Sequence, residues 1–463
     1  MLTTKNNLIV GSVMASLLML TGCGSDNDPG FNSTDPRVPE TSMLRVVHAS
    51  PDAPKVDILA GGSILNGLEN VDYQVASGVF TVNATVYPVT VNAKTPGGDV
   101  EVLSASLTAN ADALTSVLAV GSVAADTLEI LALATMPDAD VAGTTQLQVV
   151  HAAPLAPTVD IHVTAPDVTT LSSATVLATA AYKDATGLVS VASGDYRIRI
   201  TPAGSDTVVF DSGTVALASE ELLLIAATQN VGPGDSPVSL VVAGKTGAVT
   251  VLDATTPADV RVIHAVADAP AVDVIANNAL TLFDGAPFKG VTDYINVAPD
   301  TYLIDVAADA DNSVVVIDDA SLAVSAGMTY TVIAHDTLAN IDLAVVTDMP
   351  RRIATEAQVR IFHASPAAGT VDIYVTADGV ITDATPAFSA VPFNSGMLAE
   401  TGYVSLVAGE YHVTVTPTGT KDVALETGML SLAANKIYTA LAVDADTGGA
   451  PVQLILADDF IAQ

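Results

Sequence analysis

Residues 44–60 read LRVVHASPDAPKVDILA, and the phrase returns as LQVVHAAPLAPTVDIHV at 147–163, VRVIHAVADAPAVDVIA at 260–276 and VRIFHASPAAGTVDIYV at 359–375. In LRVVH a period-two reading puts Leu44, Val46 and His48 on one face and Arg45 on the other. That is the pattern of a half-buried β-strand. The histidine closes the core face at the strand end, where a Pro-rich turn begins. An aspartate follows nine positions later in every copy, giving the pairs His48 and Asp57, His151 and Asp160, His264 and Asp273, His363 and Asp372. The histidines themselves are 103, 113 and 99 residues apart. A spacing that stays fixed while the whole repeat varies marks a local geometry the fold needs.

An interval of about 100 residues is the size of a whole domain, beyond the 20–50 residues of a solenoid unit. A second phrase recurs within each interval: VASGVF at 75–80, VASGDY at 191–196, VAPDTY at 297–302 and VAGEY at 407–411. Alternating strands follow in three copies, as in YRIRI, YLIDV and YHVTV, while the first copy runs irregularly as FTVNATVYPVTVNA. Gly, Pro, Asp and Asn between β-branched runs are hairpin chemistry. Each copy therefore reads as about seven short strands, and no long stretch has helical periodicity. The expectation is all-β: four tandem immunoglobulin-like antiparallel β-sandwich domains at 43–141, 146–256, 258–351 and 357–463. Short polar joins suggest an extended rod of separate cores.

The histidine–aspartate pair has three readings. A Ser–His–Asp site needs a nucleophile beside the histidine. Ser50 qualifies, but its counterparts are Ala153, Val266 and Ser365, so two copies lack it, and no G-x-S-x-G elbow occurs. Zinc takes three or four protein ligands, whereas each copy offers two, and only the second adds His162. The structural reading explains more. A buried imidazole needs partners for both nitrogens, and prolines supply carbonyls without competing N–H groups. The aspartate then accepts from loop amides or from the histidine. We expect no catalytic residue, cofactor or metal site. Calcium is the one weak alternative, because Asp309–Asn312 and Asp444–Asp446 offer oxygen ligands. Both fall at expected turns, where Asp and Asn are favoured anyway, and neither has EF-hand spacing.

Charge narrows the partners. Sixteen basic residues face 51 acidic ones, for a net charge of −35. Nucleic-acid binding depends on neutralising phosphates with Lys and Arg, so nucleic acid is excluded. Half of the residues are hydrophobic, so the chain has ample material for cores.

The N-terminus sets the compartment. Met1–Asn7 carries Lys5, an apolar run follows from Leu8 to Leu20, and then comes LTGC ending at Cys23, the only cysteine. The run is too short to span a bilayer and reads as a secretory signal over 1–22. LTGC resembles the lipobox of bacterial lipoproteins. The resemblance implies cleavage before Cys23, acylation (palmitate or a similar chain) at Cys23, and, with Gly24 rather than Asp next, sorting to the outer membrane. Residues 23–42 are rich in Pro, Gly, Asp and Ser and read as a flexible tether.

RVVHASPDAPKVDI resembles the opening signature of the bacterial domain-of-unknown-function 4397 family. The resemblance implies an exported or surface-attached β-sandwich protein and carries over no activity. The functional expectation is a non-enzymatic envelope lipoprotein that holds the membrane through its lipid and presents rigid domains to an envelope or extracellular protein or carbohydrate. The alternative is a lipid-anchored envelope hydrolase whose site is confined to one copy, with His162 or His335 nearest to hand.

Overall fold

The computed structural model describes residues 39–460 apart from residue 173 and residues 395–397. The leader, Cys23 and most of the tether lie outside the described residues. From Glu40 onward the chain forms one unit.

Every copy of the phrase builds the first two strands of a pair of facing sheets. The histidine ends a strand each time: Thr41–His48, Thr144–His151, Ala258–His264 and Ala357–His363. The aspartate is the second residue of the next: Val56–Ala60, Val159–Thr164, Val272–Ala276 and Val371–Thr376. The two strands enter different sheets of four or five strands. Between these sheets lies an apolar core. In the second copy it joins Leu147 and Val149 to Val159, Ile161, Ile198, Ile200 and Phe210, and the other three copies repeat it. The all-β expectation holds. Helical turns among the described residues are limited to Leu338–Asn340 and Pro366–Ala368.

The ladders are not wholly antiparallel. Each histidine strand pairs in parallel with a later strand of its own copy: Leu114–Val120, Leu222–Gln229, Thr329–His335 or Lys436–Val443. Parallel neighbours need a long crossover, and here the aspartate sheet supplies it. A tyrosine fixes the start of that sheet's long strand by donating its hydroxyl to the carbonyl four residues upstream. Tyr196 bonds Ala192 at 2.9 Å, Tyr302 bonds Ala298 at 2.9 Å and Tyr411 bonds Val407 at 2.7 Å. In the irregular first copy Tyr87 does the same to Asn83 at 3.0 Å. Tyr87, and not Phe80, is therefore its counterpart, and the extra residues precede it.

Separate cores on a rod do not describe the chain. The face of the histidine strand opposite its own core is also covered. Val47, Ala49, Leu118 and Val120 of the first copy pack with Val150, Ala152, Leu224 and Val241 of the second. Ile263, Ala265 and Ile333 of the third pack with Phe362, Ala364, Leu441 and Val443 of the fourth. Arg45, placed on a wet face by the sequence pattern, is 1% exposed. The reason was visible in the phrase. A strand buried on both faces reads as a near-continuous apolar run, as LRVVH and VRIFH do. The join between copies 3 and 4 is no free spacer either. Arg351 donates to the carbonyls of Pro51 and Ala53 in the first Pro-rich turn, at 3.4 and 2.8 Å, and pairs with Asp72.

The shared apolar layer predicts coupled stability. Leu224→Ala should cost about 2–5 kcal/mol, the range for a buried Leu truncation. Hydrogen exchange should show lost protection in both Thr41–His48 and Thr144–His151, with Ala357–His363 unchanged. A loss confined to the second copy would mean that the first two copies do not depend on each other.

Candidate functional site

In three of the four copies both ring nitrogens of the recurrent histidine bond to backbone, and in the fourth Nε2 alone does. Nε2 donates to the carbonyl six residues on: Pro54 at 3.1 Å, Pro157 at 3.0 Å, Pro270 at 3.0 Å and Gly369 at 2.6 Å. Nδ1 accepts from the amide two residues on in three copies: Ser50 at 3.4 Å, Ala153 at 3.3 Å and Val266 at 3.2 Å. In the fourth copy Nδ1 of His363 has no partner. There Ser365 turns its hydroxyl to Asp444 and also accepts the Ala368 amide at 3.3 Å. The contact at the second position is thus made by an amide, which Ser, Ala and Val all carry. Ser50 meets the ring with its backbone, while its hydroxyl lies 3.5 Å from Asp52. That is the wrong group for a nucleophile.

Burial favours the neutral ring at His48, His264 and His363. All four histidines are at most 1% exposed. Desolvation, the largest influence, lowers the pKa of His48 to about 4, against the Pro54 carbonyl that favours the charged form. Burial lowers His264 and His363 in the same way.

The aspartate is a separate fastening. Among the described residues no hydrogen bond joins a recurrent histidine to its aspartate. Asp57 accepts from the amide of Asn70 at 2.8 Å, Asp273 from Gly285 at 2.7 Å and Asp372 from Ala390 at 2.8 Å. All three donors have left-handed backbone, with φ of 54°, 62° and 53°. For Ala390 that conformation is strained, and the charge-assisted bond offsets it. Asp160 instead takes the Thr179 hydroxyl, and the Gly204 amide at 2.7 Å. These bonds, led by Thr179, pull its pKa down. In the fourth copy the Gly419 amide, at 2.9 Å, leads the same effect on Asp372.

Two recurrent residue types escaped the sequence reading. An aromatic ring meets each histidine edge-on: Tyr73 at 6.2 Å, Tyr182 at 6.3 Å, Phe288 at 6.2 Å and Phe393 at 6.1 Å between centroids. Shortly after each aromatic comes Ser77, Thr186, Thr292 or Thr401, whose hydroxyl accepts the amide of the residue two before the histidine. The second type is the arginine three before the histidine. Arg261 of the third copy pairs with Asp458 of the fourth at 2.7 Å, and Arg360 of the fourth pairs with Asp348 of the third. The exchange is reciprocal, as in an isologous dimer interface. The tyrosines Tyr294 and Tyr403 lie against these guanidiniums, 4.5 and 4.4 Å away.

Among the described residues the single-copy candidates gather no constellation. His162 lies 3.5 Å from the Thr201 hydroxyl, and its Nδ1 has no partner. His335 is buried against Phe393, with rings 6.5 Å apart. Of the two calcium candidates, Asp444 accepts from the loop amides of Ala367 and Gly449, at 3.3 and 3.2 Å, and Asp446 pairs with Lys289. Asp309 lies beside Asp273 and Asp284.

The family model described as a domain of unknown function, DUF4397, matches residues 42–162 and 258–374, just over half of the chain. The chain belongs to the DUF4397 family. Each DUF4397 match opens at one histidine strand and closes in the aspartate strand of the following copy, so each contains two phrases. A search of the curated proteins found no match. Among solved structures the chain is similar to the Bacillus anthracis TIE protein, at 11% identity over 87% of this chain and 68% of that one, with a TM-score of 0.15.

His48→Ala should leave a buried carbonyl and amide without partners and cost about 1–3 kcal/mol near neutral pH. The folded pKa of His48 lies below its unfolded value of about 6.5. Its contribution is therefore fully present above pH 6.5 and is lost as pH falls toward the folded value of about 4. Urea unfolding followed by circular dichroism should show that decline in the parent and a shallower one in His48→Ala. Equal stabilities and equal slopes would remove the fastening role.

Proposed function

We propose that this DUF4397 protein is a non-enzymatic cell-envelope lipoprotein, anchored at the outer membrane through Cys23, whose four sandwich domains present binding surfaces to an envelope or extracellular protein or carbohydrate. One observation carries the non-catalytic part. In three of the four copies the histidine that recurs with an acid has both ring nitrogens bonded to backbone, and in the fourth His363 is buried with Nε2 on the Gly369 carbonyl, so none is placed to take a proton from a substrate. A hydrolase needs a histidine with a free nitrogen facing a nucleophile in a cleft.

The anchoring rests on LTGC after a short apolar run. Several acyl chains hold a protein stably where one does not, and they are needed because the net charge of −35 opposes adsorption to anionic lipid. Metabolic labelling with an alkyne palmitate analogue should mark the parent and leave Cys23→Ser unmarked. The same purified protein should not cleave chromogenic acyl esters or glycosides above buffer. Labelling of both forms would remove the anchor, and turnover abolished by a single His→Ala change would restore the hydrolase.

A further inference from the structure

The third copy treats its recurrent aspartate unlike its siblings. Both oxygens of Asp57, Asp160 and Asp372 have partners. Asp57 takes the Asn70 amide and the ammonium of Lys94, 2.5 Å away. Asp160 takes Thr179 and Gly204. Asp372 takes Ala390 and Gly419. Asp273 is equally buried, at 3% exposed, and has the Gly285 amide on one oxygen. No donor among the described residues meets the other. Around Asp273 stand two exposed carboxylates, Asp284 and Asp309, with one oxygen from each of the three within 4.8 Å of the others.

Backbone bonds identify what has changed. Lys94, Ala203, Asp309 and Thr418 each donate their amide to the carbonyl two residues before the recurrent aspartate, at 2.8, 3.0, 3.0 and 3.1 Å. They occupy one position in four copies. The first copy uses it to place a cation against the aspartate, and the third uses it to place a carboxylate. The same inversion occurs further along that strand. Arg199 pairs across from His162, two residues after Asp160, and lies opposite Asp211. Its counterpart across from Ile275 is Asp305, gathered with Asp318 and Asp319.

We propose that Asp273, Asp284 and Asp309 bind a calcium ion, which takes the place that the Lys94 ammonium fills in the first copy. Three carboxylates within one ion's reach repel each other, and among the described residues no tethered cation pairs with this copy's cluster. All-oxygen, carboxylate-rich coordination suits a hard cation and disfavours zinc or copper, which prefer nitrogen or sulfur. Two of the three ligands are exposed, which fits the weaker sites of extracellular modules, with Kd on the order of 10⁻⁴–10⁻³ M.

The test is calorimetric titration of the full chain with CaCl2 in roughly 0.15 M NaCl, which screens diffuse attraction to the acidic surface, with MgCl2 run alongside. Asp309→Lys installs the first copy's arrangement and should remove one calcium per chain from the fitted stoichiometry. It should also melt in EDTA at least as high as the calcium-loaded parent. Asp284→Asn, a conservative change at an exposed position, should weaken the same site about tenfold or more without lowering the EDTA melt. No saturable calcium uptake by the parent, or uptake unchanged in both variants, would overturn the proposal. So would an Asp309→Lys chain that melts below the parent in EDTA.

Discussion

A neutral imidazole donates at one nitrogen and accepts at the other, and the junction between the first strand and the turn of each copy requires both. The chain leaves the histidine sheet and must enter the aspartate sheet within eight residues. The turn between them has one carbonyl and one amide facing the core. Left bare, each would cost about 1–3 kcal/mol. Histidine at the strand end satisfies both in the first three copies. The constant nine-residue spacing follows, because moving either the ring or the carbonyl by one residue would reverse its face.

The second constraint is the strand's burial on both sides. One side closes its own sandwich, and the other meets the partner copy. The arginines at that second contact find partners across it. In the third and fourth copies two buried arginines meet two aspartates crosswise. Such pairs add little net stability over apolar packing, but losing one member costs about 3–5 kcal/mol. They fix register between copies more than they strengthen it.

Much of this was legible in the phrase. Alternation placed Leu44, Val46 and His48 together, the prolines announced carbonyl acceptors, and Ser50 against Ala153 and Val266 argued against a nucleophile. Other parts were not legible, for definite physical reasons. Period two gives the faces of a strand and says nothing about what covers them, so Arg45 read as wet. The aromatic partner stands 24–31 residues after its histidine, because the intervening loops differ in length, and no fixed spacing betrays it. Asp309 read as turn chemistry, since only the fold brings it beside Asp273.

The central claim is that these histidines donate from Nε2 to the turn carbonyl. Nitrogen-15 shifts of the imidazole rings in the full chain measure this directly. The account predicts that His48, His151 and His264 show a protonated Nε2 and an accepting Nδ1 at pH 8, and that His48 keeps this form at pH 5.5. A proton on Nδ1 at pH 8, or titration of His48 near the unperturbed value of about 6.5, would contradict it.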